Sequence, residues 1–262
     1  MIDFYRLYLP LSKREVKIQV SVPRNKDDIV FDTLYFLDGQ NAFSDATSAF
    51  GRSIRATKHL GAMSKHLGKR ILGVAIYNRG TDRGRVNEYS PWLIDNPLEE
   101  NWVDNDTRVF DKFYKDFIST IIPFIEKKYH VTKDRYIYGS SLGAVTAAYM
   151  CFNDDTFKGC GLFSLSHFLF EKAFYEFTNS KLDIMKKKKV FLYVGKEEFS
   201  DSMETKDIYI TTVKRFNDYL NENKIPTRLV VSFSGEHNEE TWDHNFLDFL
   251  NFMYYDNIIY KY

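Results

Sequence analysis

Short apolar runs of strand length alternate with amphipathic runs of helix length along most of the chain. This is the pattern of a layered α/β domain on a largely parallel sheet. Glu15 to Pro23 alternates apolar and polar positions with a period of two, as a half-exposed edge strand does. Thr33–Leu37 and Arg70–Tyr77 are nearly continuous apolar runs and predict central strands, with a polar helix between them over Ser53–Lys69. Phe110, Tyr114, Phe117, Ile121 and Phe124 recur at spacings of three and four, which predicts one long helix from Thr107 to Tyr129 with a kink at Pro123. Further on, strands are expected at Arg135–Tyr138, Gly159–Ser164, Val190–Val194 and Thr227–Phe233. The helices between and after them are expected at Ala144–Phe152, Leu169–Phe177, Lys206–Asn223 and Glu240–Tyr254. From Asn78 to Asp106 the periodicity stops. That stretch is rich in Gly, Pro, Asn and Asp yet carries Tyr89, Trp92, Leu93 and Trp102, and it reads as a long loop facing a substrate.

With 262 residues, no internal repeat and no linker, one domain over 1–262 is expected. The 36 basic and 36 acidic side chains cancel, so the chain has no net field to gather phosphate backbones or anionic lipid. Nucleic acid and membranes are therefore not expected partners; a small uncharged or weakly charged molecule is. No run approaches the roughly 18–20 apolar residues of a membrane span, and Asp3, Arg6, Lys13 and Arg14 fall where a signal peptide needs an apolar stretch. A soluble, cytoplasmic protein is the expectation, and nothing excludes a homo-oligomer. Cys151 and Cys160 have apolar or small neighbours and no CxxC spacing, so they read as buried, reduced thiols rather than metal ligands.

Gly139-Ser140-Ser141-Leu142-Gly143 matches GxSxG between a predicted strand and a predicted helix. The placement matters because a serine at the apex of a sharp strand-to-helix turn is presented by a strained backbone, with glycines letting strand and helix close up. The helix start aims amide groups at the same point. Ser141, not Ser140, holds the central position. A serine hydroxyl needs a base, and the base needs a carboxylate to orient it. Of six histidines, His59, His66 and His130 read as surface, His244 falls within the last helix, and His167 follows a strand without a carboxylate pattern. His237 lies just past a predicted strand, at the carboxyl ends of the strands, where α/β folds build sites. Glu197, Glu198 and Asp201 follow the strand FLYVG, with Glu198 three residues after Gly195. Serine, acid, histidine is the chain order of α/β-hydrolases.

Five segments together resemble the "putative esterase" family of α/β-hydrolases: YFLDGQNAF (Tyr35–Phe43), RVNEYSPW (Arg85–Trp92), YIYGSSLGA, VGKEE (Val194–Glu198) and GEHNEETW (Gly235–Trp242). That family includes esterase D, enterochelin-type siderophore esterases, feruloyl and acetylxylan esterases, and antigen 85 acyltransferases. The resemblance implies a three-layer α/β-hydrolase fold, a mostly parallel central sheet with helices on both faces. It also implies Ser141 as nucleophile, His237 as general base and Glu198 as the acid, where many members carry aspartate. The backbone N–H groups of Gln40 and Leu142 would form the oxyanion hole. The implied reaction is hydrolysis of small acyl or aryl esters, such as acetyl or feruloyl esters of carbohydrate, with acyl transfer or siderophore hydrolysis as the alternatives on the same triad. A non-catalytic binding protein on this fold is the less favoured reading, since all the pieces of the site are present. No metal or organic cofactor is implied. Phe43, Trp92, Phe168 and Trp242, with Tyr89 and Trp102, are the candidates to line the substrate pocket. The extra recognition sequence of enterochelin esterases and the cysteine features of formylglutathione hydrolases are not evident in the chain.

Overall fold

The structure is a computed structural model in which residues 1–23, 30–94, 108–198 and 207–255 are described. In chain order its elements are β1 (Ile2–Leu9), β2 (Arg14–Ser21), β3 (Phe31–Phe36), α1 (Ala56–Leu67), β4 (Ile71–Ile76), α2 (Asp82–Tyr89), α3 (Phe110–Asp116) and α4 (Ile122–Lys128). They continue with β5 (Val131–Ser140), α5 (Leu142–Asn153), β6 (Gly159–Phe163), α6 (Glu171–Ser180), α7 (Leu182–Met185) and β7 (Lys189–Glu197). The last three are α8 (Ile208–Glu222), β8 (Thr227–Glu236) and α9 (Glu239–Tyr254).

The eight strands form one sheet in the order β1-β2-β4-β3-β5-β6-β7-β8. β1 pairs antiparallel with β2, and β2 antiparallel with β4; every later pairing is parallel. The inner parallel strands β3, β4, β6 and β7 are buried on both faces, which is why their sequences are apolar at consecutive positions. Their alternation still sorts the core into two layers. Leu34, Phe36, Tyr138, Phe163 and Phe191 meet Leu60 and Met63 of α1 and Phe246 and Phe249 of α9. On the opposite face Tyr35, Ile137, Leu162 and Leu192 meet Phe113 of α3, Val145 of α5, Phe174 of α6 and Phe216 of α8. The result is the three-layer α/β-hydrolase fold, with both cysteines buried and unpaired by a disulfide.

Three sequence expectations are corrected. The pattern starts the sheet at Glu15, but β1 precedes it. Phe4 and Tyr8 of that outer strand are exposed, so it lacks the apolar-in, polar-out alternation that marks a half-buried strand. The predicted 107–129 helix is divided: α3 passes through a π turn at Phe117–Ile121 into α4, whose first turn contains Pro123. The wider turn lets the chain tolerate the missing proline N–H, and a π insertion rather than a simple kink results. The long loop from Asn78 contains α2, capped by the Thr81 hydroxyl accepting from the Gly84 N–H. Its faces carry little apolar contrast, so no helical period announces it. Trp102 and Asp201 lie outside the described residues.

Candidate active site

Three non-glycine residues with left-handed φ sit at the carboxyl ends of three adjacent parallel strands: Asp38 after β3 (φ 51), Ser141 after β5 (φ 56) and Ser164 after β6 (φ 49). Strained backbone of this kind is held only where its surroundings over-determine it, and it gathers at functional sites. Ser141 has ψ −126 and forms the bend between β5 and α5. A Cβ on Gly139 would collide with the carbonyl of Gly143, so the strand can turn this tightly into the helix only with glycine there. The Ser141 N–H donates to the Phe163 carbonyl at 2.8 Å, which anchors the bend to the neighbouring strand. The first helical bond of the turn runs from the Ala144 N–H to the Ser141 carbonyl, so the Leu142 N–H precedes it and stands outside the helix ladder.

The carboxyl end of β3 makes a single 3-10 turn over Gly39–Asn41. Its first bond is from the Asn41 N–H to the Asp38 carbonyl at 2.9 Å, which leaves the Gln40 N–H outside the turn's own bonding. Gln40 and Ser141 line the same cavity of about 540 Å³, together with His237.

At the other end of the sheet, β7 and β8 approach so closely that a Cβ on Gly195 would strike the Gly235 carbonyl. The pairing register slips between Gly195 and Glu197, and past this irregularity the two strand ends place Glu198 and His237 side by side. The His237 Nδ1 lies 2.6 Å from Glu198 Oε2. The other oxygen, Oε1, accepts from the Ser164 Oγ at 2.6 Å and the Gly195 N–H at 2.8 Å. Trp242 Nε1 in turn donates to the Ser164 Oγ at 2.9 Å. The Glu198 carboxylate is thus buried and fully occupied, and the imidazole rests edge-on against the Trp242 ring with Tyr209 also against it. With Nδ1 on the carboxylate, His237 lines the cavity as the tautomer in which Nε2 can accept a proton. Ser164, which ties this carboxylate to Trp242, is not singled out by the sequence; a serine at a strand end carries no motif.

Of the other candidates, Glu197 ends β7, where it pairs with Glu236 of β8. His66, His130 and His244 are exposed. His59, expected at the surface, is instead a tie between α1 and α9, its Nε2 2.5 Å from Asp243 Oδ1. His167 is fully buried beside Phe174 and Phe216, and burial lowers its pKa to about 3, so it stays neutral.

The aromatic candidates divide. Trp242 lines the cavity while also holding Ser164. Phe43 is packed edge-on against Phe36 in the core, and Trp92 sits among Tyr149, Phe170, Phe174 and Phe177. Phe168 abuts Tyr209, one ring away from His237. None of these three is among the cavity's lining residues, nor is Tyr89, which is fully buried. Its wall mixes the amides and hydroxyls of Gln40, Asn41, Tyr77, Asn78 and Asn238 with the charged Asp38 and Arg85 and the apolar surface of Ala49, Phe50 and Trp242. The exposed Phe50 stands at its rim. Glu239 also lines the cavity; burial raises its carboxyl pKa, and Asn41 Nδ2 donates to its Oε1 at 2.6 Å. No cluster of His, Cys, Asp or Glu among the described residues is arranged to hold a metal ion.

A serine on a strained strand-to-helix turn, a carboxylate-bound imidazole and the turn at Gln40 thus meet on one cavity of an α/β-hydrolase fold. The sequence matches the family described as "Putative esterase" over residues 11–253, and the chain belongs to that family. No curated protein matches it. Among solved structures it is similar to an IroE-like serine hydrolase from Shewanella oneidensis, with a TM-score of 0.75 and 17% identity, covering 95% of this chain and 80% of that one. It is also similar to a ferulic acid esterase (TM-score 0.72, 16% identity, 97% of each chain). A third is the enterobactin esterase FES from Shigella flexneri (TM-score 0.72, 13% identity), covering 97% of this chain and 58% of that one. At these identities the likeness is one of fold. No helix among the described residues is long and apolar enough to cross a membrane.

Proposed function

We propose that the protein is a serine carboxylesterase that works through an acyl-enzyme on Ser141, His237 and Glu198. The observation that carries this reading is the Glu198–His237 bond at 2.6 Å opening onto the same cavity as the strained Ser141. Ser141 Oγ attacks the ester carbonyl carbon while His237 Nε2 takes its proton. The carbonyl oxygen, now an anion, is held by the N–H groups of Gln40 and Leu142, donors fixed before the charge develops. The ester C–O bond then breaks, the imidazolium returns its proton to the departing alkoxide, and the alcohol leaves. Water, deprotonated by the same imidazole, attacks the acyl-serine and releases the acid. Glu198 keeps the imidazole in the productive tautomer and offsets its charge.

The amides and hydroxyls of the cavity wall suit a polar, hydroxylated alcohol, and its limited apolar part at Ala49, Phe50 and Trp242 suits a small acyl group better than a long alkyl chain. Initial rates on p-nitrophenyl acetate, butyrate and octanoate and on methyl ferulate, for wild type and Ser141→Ala, test both parts. Serine-dependent turnover falling steeply from acetate to octanoate is expected. Equal rates in the two proteins overturn the mechanism, and a preference for octanoate overturns the polar-pocket reading.

A further inference from the structure

We infer that Arg85 is a positioning residue for the oxyanion turn: from α2, which supplies no catalytic group, it holds Asp38 and thereby sets the Gln40 amide. The inference rests on the reading of Gln40 as an oxyanion donor. Asp38 begins the 3-10 turn in a left-handed conformation, with no side-chain cap bond to the turn itself. Its carboxylate is held from outside. Arg85 Nε donates to Oδ1 at 2.9 Å and Arg85 Nη2 to Oδ2 at 2.7 Å, the two-point fork of a guanidinium on a carboxylate. Asn78 Nδ2 adds a third bond to Oδ1 at 2.6 Å. One turn further along α2, the Tyr89 hydroxyl accepts from the Asp38 N–H at 2.9 Å, so residues four apart on one helix grip both the side chain and the backbone of Asp38.

The same helix reaches the nucleophile. Thr146 Oγ1 of α5 donates to the Tyr89 carbonyl at 2.6 Å, which fixes α2 relative to the helix that begins at Leu142. The two proposed oxyanion donors come from separate strand ends, and α2 bonds to the turn that carries one and to the helix that carries the other. The far end of the turn is held independently: Asn41 donates to Glu239, and its Oδ1 accepts from the Ala49 N–H at 3.0 Å. Gln40 lies between these two fixed points.

Arg85 acts by charge as well as by geometry. Asp38 is 5% exposed, and its Oδ2 lies 3.0 Å from where a Cβ on Gly143 would be. A bare carboxylate so close to the nucleophile turn would oppose the negative charge of a tetrahedral intermediate. The guanidinium cancels that charge and pins the carboxylate in place on the cavity wall, which both residues line.

The test is a double-mutant cycle of Arg85→Gln, Asp38→Asn and the pair, with Arg85→Lys retaining the charge but losing the fork. Each variant is assayed with p-nitrophenyl acetate and with an aryl trifluoromethyl ketone as tetrahedral mimic, and its folding is followed by thermal unfolding. Arg85→Gln should lower kcat about 10- to 100-fold, as misplacing or opposing one oxyanion donor does. KM should stay within about threefold, and the ketone's Ki should rise in step with the loss in kcat/KM. Arg85→Lys should fall between Arg85→Gln and wild type. Because the pair removes the uncompensated charge, its kcat should exceed that of Arg85→Gln alone. The inference is overturned if kcat is unchanged, or if KM rises with kcat intact, which would make Arg85 a substrate contact. A paired variant no better than the product of the single losses overturns it too. Should wild type show no Ser141-dependent turnover, the esterase mechanism fails instead; serine-dependent turnover with normal Arg85 variants sinks this inference alone.

Discussion

The two ends of the candidate site are built in different ways. At the β7/β8 end the groups lie close to the strands that carry them: Glu198 and His237 directly follow β7 and β8, and Gly195 of β7 itself donates to the carboxylate. At the β3 end the proposed group is a backbone amide, and the turn that carries it is held by side chains from α2 and α9, far away in the chain. One end is made by the strands themselves, the other by an excursion folded back over the sheet. A site can therefore keep its acid–base pair and still lose activity through a helix that carries no reacting group.

The largest effect belongs to neither end but to the residue both serve. Ser141→Ala should lower kcat/KM on p-nitrophenyl acetate by about four orders of magnitude or more, with the melting temperature little changed. Next is Glu198→Gln, which at the strand-built end should cost about 10²- to 10⁴-fold in kcat, with KM nearly constant. Trp92→Ala sharpens the contrast at the other end. Trp92 anchors the segment after α2 among four aromatic rings, so the change should cost about 2–3 kcal/mol of stability in urea denaturation, less than for a fully buried tryptophan. It should leave the ranking of ester substrates unaltered, and a changed ranking would return Trp92 to the pocket.

Ser164→Ala should be milder, about 3- to 10-fold in kcat, because the Gly195 N–H still holds the carboxylate. The smallest effect is on acid stability. His167, three residues beyond Ser164, is neutral in the fold with its pKa lowered by burial to about 3, whereas unfolded histidine titrates near 6.5. The unfolded chain therefore binds the extra proton, and stability should fall as pH drops below about 6.5 toward 3. His167→Gln should flatten that slope in melting temperature against pH between 7 and 5.

What the sequence made legible follows the same division. The parallel strands announce themselves because burial on both faces demands continuous apolar runs, and the serine turn because glycine is required where strand and helix nearly touch. Glu198 and His237 are found by their offset from strand ends. Arg85 and Ser164 have no such signature: each works by a hydrogen bond to a residue remote in the chain, and nothing in the local pattern records the partner. The Arg85 segment is part of the family resemblance, yet the reason for its arginine emerges only when Asp38 lies beside it. Aromatic residues mislead for a simpler reason. At 17% of the chain they fill the core as readily as a pocket, so Phe43, Trp92 and Phe168 carry no positional information until their neighbours are known.

The most direct test of the central claim is to trap the covalent intermediate. Wild type and Ser141→Ala are treated with an alkyl fluorophosphonate, and the adduct is located by peptide mass spectrometry. The account predicts one adduct per chain on Ser141, none in Ser141→Ala, and much slower labelling in His237→Ala. A fully active wild type with Ser141 unmodified, or labelling that persists at another residue when Ser141 is removed, would contradict it.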